Sequence, residues 1–432
     1  MMTIDKLYQI YRENPLVFTD SRLATSGGLF FALKGERFDG NEFALKAIAD
    51  GADYAVVDRQ SLAGFEKCIY VDNVLDTLQQ LANYHRRQLA VPVLAITGTN
   101  GKTTTKELVT SVLSQAYKVL STQGNFNNHI GVPLTLLKIN EEHQLAVIEM
   151  GANHPGEIKF LCSIAEPDYG LITNVGKAHL EGFGSFEGVK KTKAELYSYI
   201  AEYGKGIFIN ADNPDLNEMS VNNKVKFTYG VNNQSAQLKG QVASNDLYIV
   251  ASALFPKGWL YLKSKLTGSY NLENILAAAR IGQHFDIDPL LIQKGVEGYT
   301  PTNNRSQIYH QGDVTLLLDC YNANPSSMKV AIQNFVEIDR PEKLLILGDM
   351  LELGAESLTE HQQVVDAVVE SGIDEVILVG ENFGKSNVPG FFRKYVDVNQ
   401  LKEDFHQYNL SNKFVLIKGS RGIQLEKLID ML

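Results

Sequence analysis

The chain is predicted to fold as an α/β protein of three domains. Three observations carry this. From about residue 90, short apolar runs alternate with helical stretches, the pattern of a mostly parallel sheet covered by helices. From about residue 306 to 432 the alternation starts again, as in a separate doubly wound domain. Ahead of both lies a small segment of about 85 residues with short strands of its own. The expected division is 1–85, 86–304 and 305–432. A length of 432 residues allows two to four domains, each able to bury a core.

In the first segment, residues 29–33 and 54–57 read as strands, with a helical stretch at 41–50 between them. Leu75, Leu78, Leu81 and Leu89 recur at helical spacing, so 73–89 reads as a helix leading out. In the middle segment, strands are expected at 93–96, 145–149, 169–173 and 206–210. Residues 220–266 look different: strand-like runs at 225–229, 247–251 and 259–262 predict a small antiparallel patch. The Ala-rich stretch 271–284 is a helix, and 298–304 reads as a linker. In the last segment, strands are expected at 315–318, 343–347, 375–379 and 414–417. The sequence holds neither an internal repeat nor a low-complexity stretch.

Composition excludes several classes. A formal charge of −10 argues against a general nucleic-acid binder, which needs a basic face. Cys68, Cys162 and Cys320 are widely spaced, without paired metal-ligand spacing, and fit a reducing compartment. The start carries Asp5 and no apolar core of signal length. No stretch approaches the roughly 20 apolar residues of a membrane helix. A cytoplasmic protein, monomeric and acting on small molecules, is expected.

The most informative stretch is 97–105, Thr-Gly-Thr-Asn-Gly-Lys-Thr-Thr-Thr, directly after an apolar run. A buried strand runs into a Gly-rich turn, and a Lys-Thr pair opens the next helix. Gly98 and Gly101 let backbone N–H groups approach phosphate oxygens. Lys102 can reach the β- and γ-phosphates of a nucleotide, and the Thr103 hydroxyl can bind Mg²⁺. Thr99, Asn100 and Thr104 complete the loop. The motif departs from the standard phosphate loop, because Thr97 stands where that pattern has its first Gly.

Other candidates follow predicted strand ends, where ligands of such sheets bind. Glu149 ends one apolar run, and beside a phosphate loop its carboxylate can hold Mg²⁺. Lys102, Glu149, Asn174 and Asn210 all fall at such ends, so one site is expected to collect them. His179 lies in a loop with an acid and three glycines; a surface or core histidine is the competing reading. Lys190 and Lys191 read as a solvated basic face, and Lys193 is not settled by pattern. Asn271 and Asn274, one turn apart, can read an adenine edge or simply start a helix. Asp319 follows the first strand of the last segment and can accept ribose hydroxyls; the run Asn322-Ala-Asn324-Pro is equally good turn chemistry. Residues 348–354 and 418–421 each follow a further strand, and the latter is a candidate phosphate or carboxylate site.

Taken together these residues resemble the Mur ligases, the ATP-dependent amide-forming enzymes of peptidoglycan precursor synthesis, over nearly the whole chain. The loop 97–104 is the central signature, and 122–133, Thr-Gln-Gly-Asn-Phe-Asn-Asn-His-Ile-Gly-Val-Pro, resembles the family's substrate-side loop. Residues 149–157, 174–185 and 319–328 resemble the member that adds D-alanyl-D-alanine. Residues 19–22 and 29–40 fit the domain that binds the UDP-muramoyl-peptide.

The resemblance implies that ATP phosphorylates the terminal carboxylate of UDP-N-acetylmuramoyl-tripeptide, and that the amine of D-alanyl-D-alanine then attacks the acyl phosphate. It implies two Mg²⁺ ions, one served by Thr103 and Glu149, the other by His179 and a carbamylated Lys193. Lys102, Glu149, His179 and Lys193 make the catalytic set. Asn271 and Asn274 would face adenine, Arg305 the phosphates and Asp319 the ribose. Ser21, Arg22, Lys34, Asn125, Asn127, Asn128, Asn322 and Asn324 would line the substrate, with Lys418, Ser420 and Arg421 candidates for the dipeptide carboxylate. The third domain would have to close onto the second. Two other readings stand beside it: another amino-acid ligase of the superfamily, such as folylpolyglutamate synthase, and a nucleotide switch that hydrolyses without peptide substrates.

Overall fold

The computed structural model describes residues 2–302 and 304–431. It holds three larger sheets, one in each expected segment. The first has four parallel strands in the order Leu16–Phe18, Gly28–Phe31, Tyr54–Val57, Cys68–Tyr70. The helical stretch expected at 41–50 is a 3-10 turn, Gly40–Phe43, followed by a short helix, Ala44–Ala49. Asp39 sets that start by accepting from the Asn41 N–H. The exit helix runs from Val74 to Gln88, capped by Asn73, and packs against helices of the central body. The border drawn at 85/86 falls inside this helix.

The central sheet has nine strands, in the order Gly258–Lys263, Ile249–Phe255, Leu238–Asn245, Lys226–Gly230, Gly206–Asn210, Tyr169–Ile172, Val93–Thr97, Leu145–Glu149, Val119–Ser121. Only the pairings among the first three are antiparallel. The antiparallel patch expected at 220–266 is therefore no separate unit. It extends the parallel sheet, and Lys226–Gly230 itself pairs parallel with Gly206–Asn210. The strand Leu238–Asn245 escaped the sequence because residues 241–244 are exposed and, Val242 apart, polar or small, so it shows no apolar alternation.

Val93–Thr97 shows why the middle of this sheet is firm. All five residues are buried. Leu94 and Ile96 join the cluster with Leu108, Val112 and Ile275, from helices Lys102–Leu113 and Asn271–His284. Val93 and Ala95 face the opposite cluster, with Leu161 and Leu196. A strand covered on both faces reads as a continuous apolar run, and each fully buried Leu or Ile contributes about 2 kcal/mol.

The third sheet has six strands, in the order Gln307–Gln311, Val314–Asp319, Phe414–Lys418, Lys343–Gly348, Glu375–Val379, Arg393–Tyr395. All neighbours are parallel except the first pair. The two edge strands, mostly polar and exposed, were not expected from sequence. Strand ends of the central and third sheets face one cavity between the two bodies. Among the described residues, no helix is long and apolar enough to cross a membrane.

Candidate active site

The cavity measures about 950 Å³. One wall is the loop that joins Val93–Thr97 to helix Lys102–Leu113. Gly101 starts this helix at φ +76, and a Cβ there would lie 3.0 Å from Asn274 Oδ1. Gly98 has φ +145, and a Cβ would overlap Thr173 Oγ1 at 2.0 Å. Both positions need glycine. The loop is braced from behind: Asn100 N–H donates to Asn174 Oδ1 at 2.9 Å, Thr173 Oγ1 donates to Asn100 O at 2.6 Å, and Gly176 N–H donates to Thr99 Oγ1 at 2.9 Å. Thr99, Asn100, Gly101, Lys102, Thr103 and Thr104 line the cavity, whereas Gly98 stands behind them.

Lys102 folds over the loop and donates to Gly98 O at 2.8 Å and Thr99 O at 3.0 Å. Burial pushes its pKa down, the nearby Arg305 adds to this, and Glu149 opposes it. Glu149 is 2% exposed. Its Oε1 accepts from Asn127 Nδ2 at 2.9 Å, while Oε2 is buried with no hydrogen-bond partner. A buried carboxylate oxygen without a donor costs free energy unless a cation meets it.

That orphaned oxygen and the Thr103 hydroxyl fit Mg²⁺, a hard ion that takes oxygen ligands. Among the described residues, no group of three or more His, Cys, Asp or Glu is gathered to hold a metal. The donor set is therefore of the kind completed by phosphate oxygens and water.

His179 also lines the cavity, and its Nδ1 meets the carboxylate of Glu352, from the third domain. The segment 348–354 that holds Glu352 was marked in the sequence, but without a role for this residue, because the contact joins two distant loops. Lys193 lies in helix Phe186–Tyr203, buried behind the cavity rather than lining it. Its ammonium stands 5.5 Å from the Phe183 ring centroid. Burial first, then the charge of Lys102, lower its pKa to about 7, against Glu157 and Glu195. Lys190, expected on a solvated face, is instead largely buried and pairs with Asp215 at 2.8 Å and Glu218 at 2.7 Å. Lys191 is exposed.

Several expected residues turn out to serve the protein itself. Asn271 and Asn274 line the cavity, yet their amides are largely spent: Asn274 Nδ2 donates to Asn271 Oδ1 at 2.7 Å, and Thr105 Oγ1 donates to Asn274 Oδ1 at 2.9 Å. Asn210 stays out of the cavity; its Oδ1 accepts from Asp212 N–H at 3.0 Å, and its side chain also bonds Glu273, which does line it. Asn125, Asn127 and Asn128 line the cavity, and Asn128 Oδ1 accepts from Gly131 N–H at 2.9 Å.

The third domain forms the opposite wall. The Arg305 guanidinium stacks 3.6 Å above the Tyr321 ring. Asp319 and Lys418, expected to serve different ligands, are paired with each other at 2.5 Å, so the Lys418 ammonium is already taken. Ser420 is buried away from the cavity, where its Oγ accepts from Leu351 N–H at 3.0 Å. Arg421 is exposed and outside it. Asn322 lines the cavity, and its Oδ1 accepts from Ala323 N–H at 2.9 Å. Asn324 caps helix Pro325–Glu337 and reaches across to Asn100 Oδ1 at 2.8 Å. In the first domain, Arg22 pairs with Asp20 at 2.6 Å and Lys34 with Asp58 at 2.8 Å. Neither these two nor Ser21 lines this cavity.

Known proteins place this arrangement. Residues 16–95 match the model "Mur ligase family, catalytic domain", 96–282 the "Mur ligase middle domain", and 304–421 "Mur ligase, glutamate ligase domain". The UDP-N-acetylmuramoyl-tripeptide--D-alanyl-D-alanine ligase of Escherichia coli (strain K12) is 38% identical over 427 residues, 96% of this chain and 93% of that protein. A MurF crystal structure from Acinetobacter baumannii superimposes with a TM-score of 0.88 at 29% identity, covering 100% of this chain and 98% of the other. MurF ligase from Thermotoga maritima, in complex with ADP, gives 0.85 at 25% identity, with the same coverage of 100% and 98%. Three domain models in order, and likeness along nearly the whole length, identify this chain as a member of the Mur ligase family, in the branch of the UDP-N-acetylmuramoyl-tripeptide--D-alanyl-D-alanine ligases.

Proposed function

We propose that this protein joins D-alanyl-D-alanine to UDP-N-acetylmuramoyl-tripeptide, forming ADP and phosphate. The observation that carries this is one cavity shared by Lys102 on the phosphate loop, the unpartnered Glu149 Oε2, and Arg305 and Asp319 of the third domain. It holds a nucleotide on one side and leaves room for an acyl group and an amine on the other.

In this reading a carboxylate oxygen of the tripeptide attacks the γ-phosphorus, and ADP leaves. The dipeptide amine attacks the acyl carbon, loses a proton, and phosphate leaves. Lys102 and Arg305 meet charge on the phosphates. Asp319, held by Lys418, accepts from the ribose. Asn271 and Asn274 stiffen the loop beneath the phosphates and keep one free N–H each for the base. Thr103 and Glu149 would hold Mg²⁺, which would supply Lewis-acid charge stabilisation at the phosphates. The low pKa of Lys193 leaves much of its amine neutral near pH 7, the form that adds to CO2 and releases a proton to give a carbamate. A carbamate turns this lysine into an anion that can serve, with His179, a second Mg²⁺.

Asn125, Asn127, Asn128 and Asn322 line the acyl and amine side. The segment 1–85 takes the UDP end, with Ser21, Arg22 and Lys34 as its contacts, 86–304 takes ATP, and 305–432 closes the site. The protein works as a cytoplasmic monomer. Following product mass and ADP, with each substrate omitted in turn, tests the proposal. A mass gain of one dipeptide with one ADP per product is expected. Equal ADP formation without either peptide, and no new product, overturns it.

A further inference from the structure

We infer that Glu352 couples closure of the third domain to the placement of His179, as a positioning residue for the ligase reaction; this rests on the reading above. Glu352 follows strand Lys343–Gly348, in a loop that enters the cavity. Its backbone has φ +64, and that of His179 has φ +49. Residues with a Cβ seldom adopt this left-handed conformation, and they keep it where the surroundings enforce it. Here two such residues, from different domains, meet side chain to side chain.

The arm that carries Glu352 is stiff. Met350 N–H donates to His361 Nε2 at 3.0 Å, Leu351 N–H to Ser420 Oγ at 3.0 Å, and Ser420 N–H to Asp349 O at 3.1 Å. The receiving side is fixed too. His179 opens the short helix Leu180–Phe183, whose Gly182 lies so close to Asn153 O that a Cβ would come within 2.1 Å. A Cβ on Gly354 would rest 3.5 Å from Glu181 Cβ, so the loop seats on that helix. Beside this seam, Lys177 pairs with buried Glu360 at 2.7 Å.

The chemistry of the contact is specific. The Glu352 carboxylate stands against Nδ1 as a close charged neighbour, without an aligned hydrogen bond, and so favours the proton on that nitrogen and leaves Nε2 as the acceptor. The Lys177–Glu360 pair can fasten the domains without touching His179. Glu352 alone of these acids both fastens the seam and orients a residue of the site. Closure and a correctly oriented His179 thus become one event.

The test uses the full-length protein with Glu352→Ala and Glu352→Gln. Replacement by Ala should lower kcat about 10- to 100-fold while KM for ATP stays within about twofold. Replacement by Gln keeps an oxygen facing Nδ1 and should recover most of kcat. Small-angle X-ray scattering with a non-hydrolysable ATP analogue should show a larger radius of gyration for Glu352→Ala than for wild type. Wild-type kcat and wild-type scattering in Glu352→Ala overturn the inference. A Gln variant as impaired as the Ala variant overturns the orienting role as well. If wild type forms no amide product, the ligase reading falls by itself, and scattering still decides whether Glu352 holds the domains closed.

Discussion

The two walls of the cavity treat charge in opposite ways. On the central wall, three charged groups lack charged partners: Glu149 keeps an unpartnered oxygen, Lys193 is buried at a lowered pKa, and Lys102 leans on carbonyls of its own loop. On the third-domain wall, the acids are matched within the protein, Asp319 with Lys418, Glu352 with His179 and Glu360 with Lys177, while Arg305 stacks on the Tyr321 ring. Groups left short are completed by ligands, and groups already matched hold shape. The central wall is therefore mainly the chemical one, and the third-domain wall, Arg305 apart, mainly the aligning one.

Removing the loop cation should break this contrast most severely. Lys102→Met deletes the charge proposed to meet the phosphates and should lower kcat about 10³-fold, with folding intact. Rates of product formation beside a thermal melt check this. A variant that keeps a tenth of the wild-type rate would mean that phosphate charge is met elsewhere.

Lys193 sharpens the same side of the comparison. Its folded pKa of about 7 lies below the unfolded lysine value of about 10.4. Between these values the unfolded chain binds the extra proton, so stability rises with pH from about 7 to about 10.4 and gains nothing further above. In CO2-free buffer, denaturant titrations across that window should show this slope in wild type and lose its Lys193 share in Lys193→Met. Activity should fall when CO2 is stripped and return with bicarbonate, whereas Lys193→Met should sit about 10²-fold low and ignore bicarbonate. A wild type indifferent to bicarbonate removes the carbamate from the mechanism.

The chemical wall was the legible one. Lys102 and Glu149 are set by local rules, a strand end and the turn after it, and strands 145–149 and 206–210 have the expected bounds. The aligning wall was harder to see because its partners are far apart in sequence: Lys418 and Asp319 are 99 residues apart, and nothing local marks either as spent. The same holds for Asn274, whose Oδ1 is claimed by Thr105, 169 residues away. Ser420 read as a ligand because it follows a strand, yet its hydroxyl holds the backbone of Leu351. Edge strands such as Gln307–Gln311 escaped because half-exposed polar residues carry no period-2 signal.

The smallest expected effect asks whether the aligning wall touches the loop through a single bond. Asn324 does two jobs. Its Oδ1 accepts from Ser327 N–H at 2.9 Å and caps helix Pro325–Glu337, while its Nδ2 donates to Asn100 Oδ1 at 2.8 Å. Asn324→Ala loses both and should cost about 1 kcal/mol of stability through the cap. Asn324→Asp keeps the capping oxygen and loses the donor, placing an acceptor against Asn100 Oδ1. Its melting temperature should therefore stay near wild type, because the cap is preserved. Its KM for ATP should rise several-fold, because Asn100 belongs to the loop that meets the phosphates and the third domain no longer holds it. Parallel melts and initial rates on the two variants separate the roles. If Asp restores both stability and KM, the bridge to Asn100 carries no alignment, and the cap alone explains why an asparagine stands there.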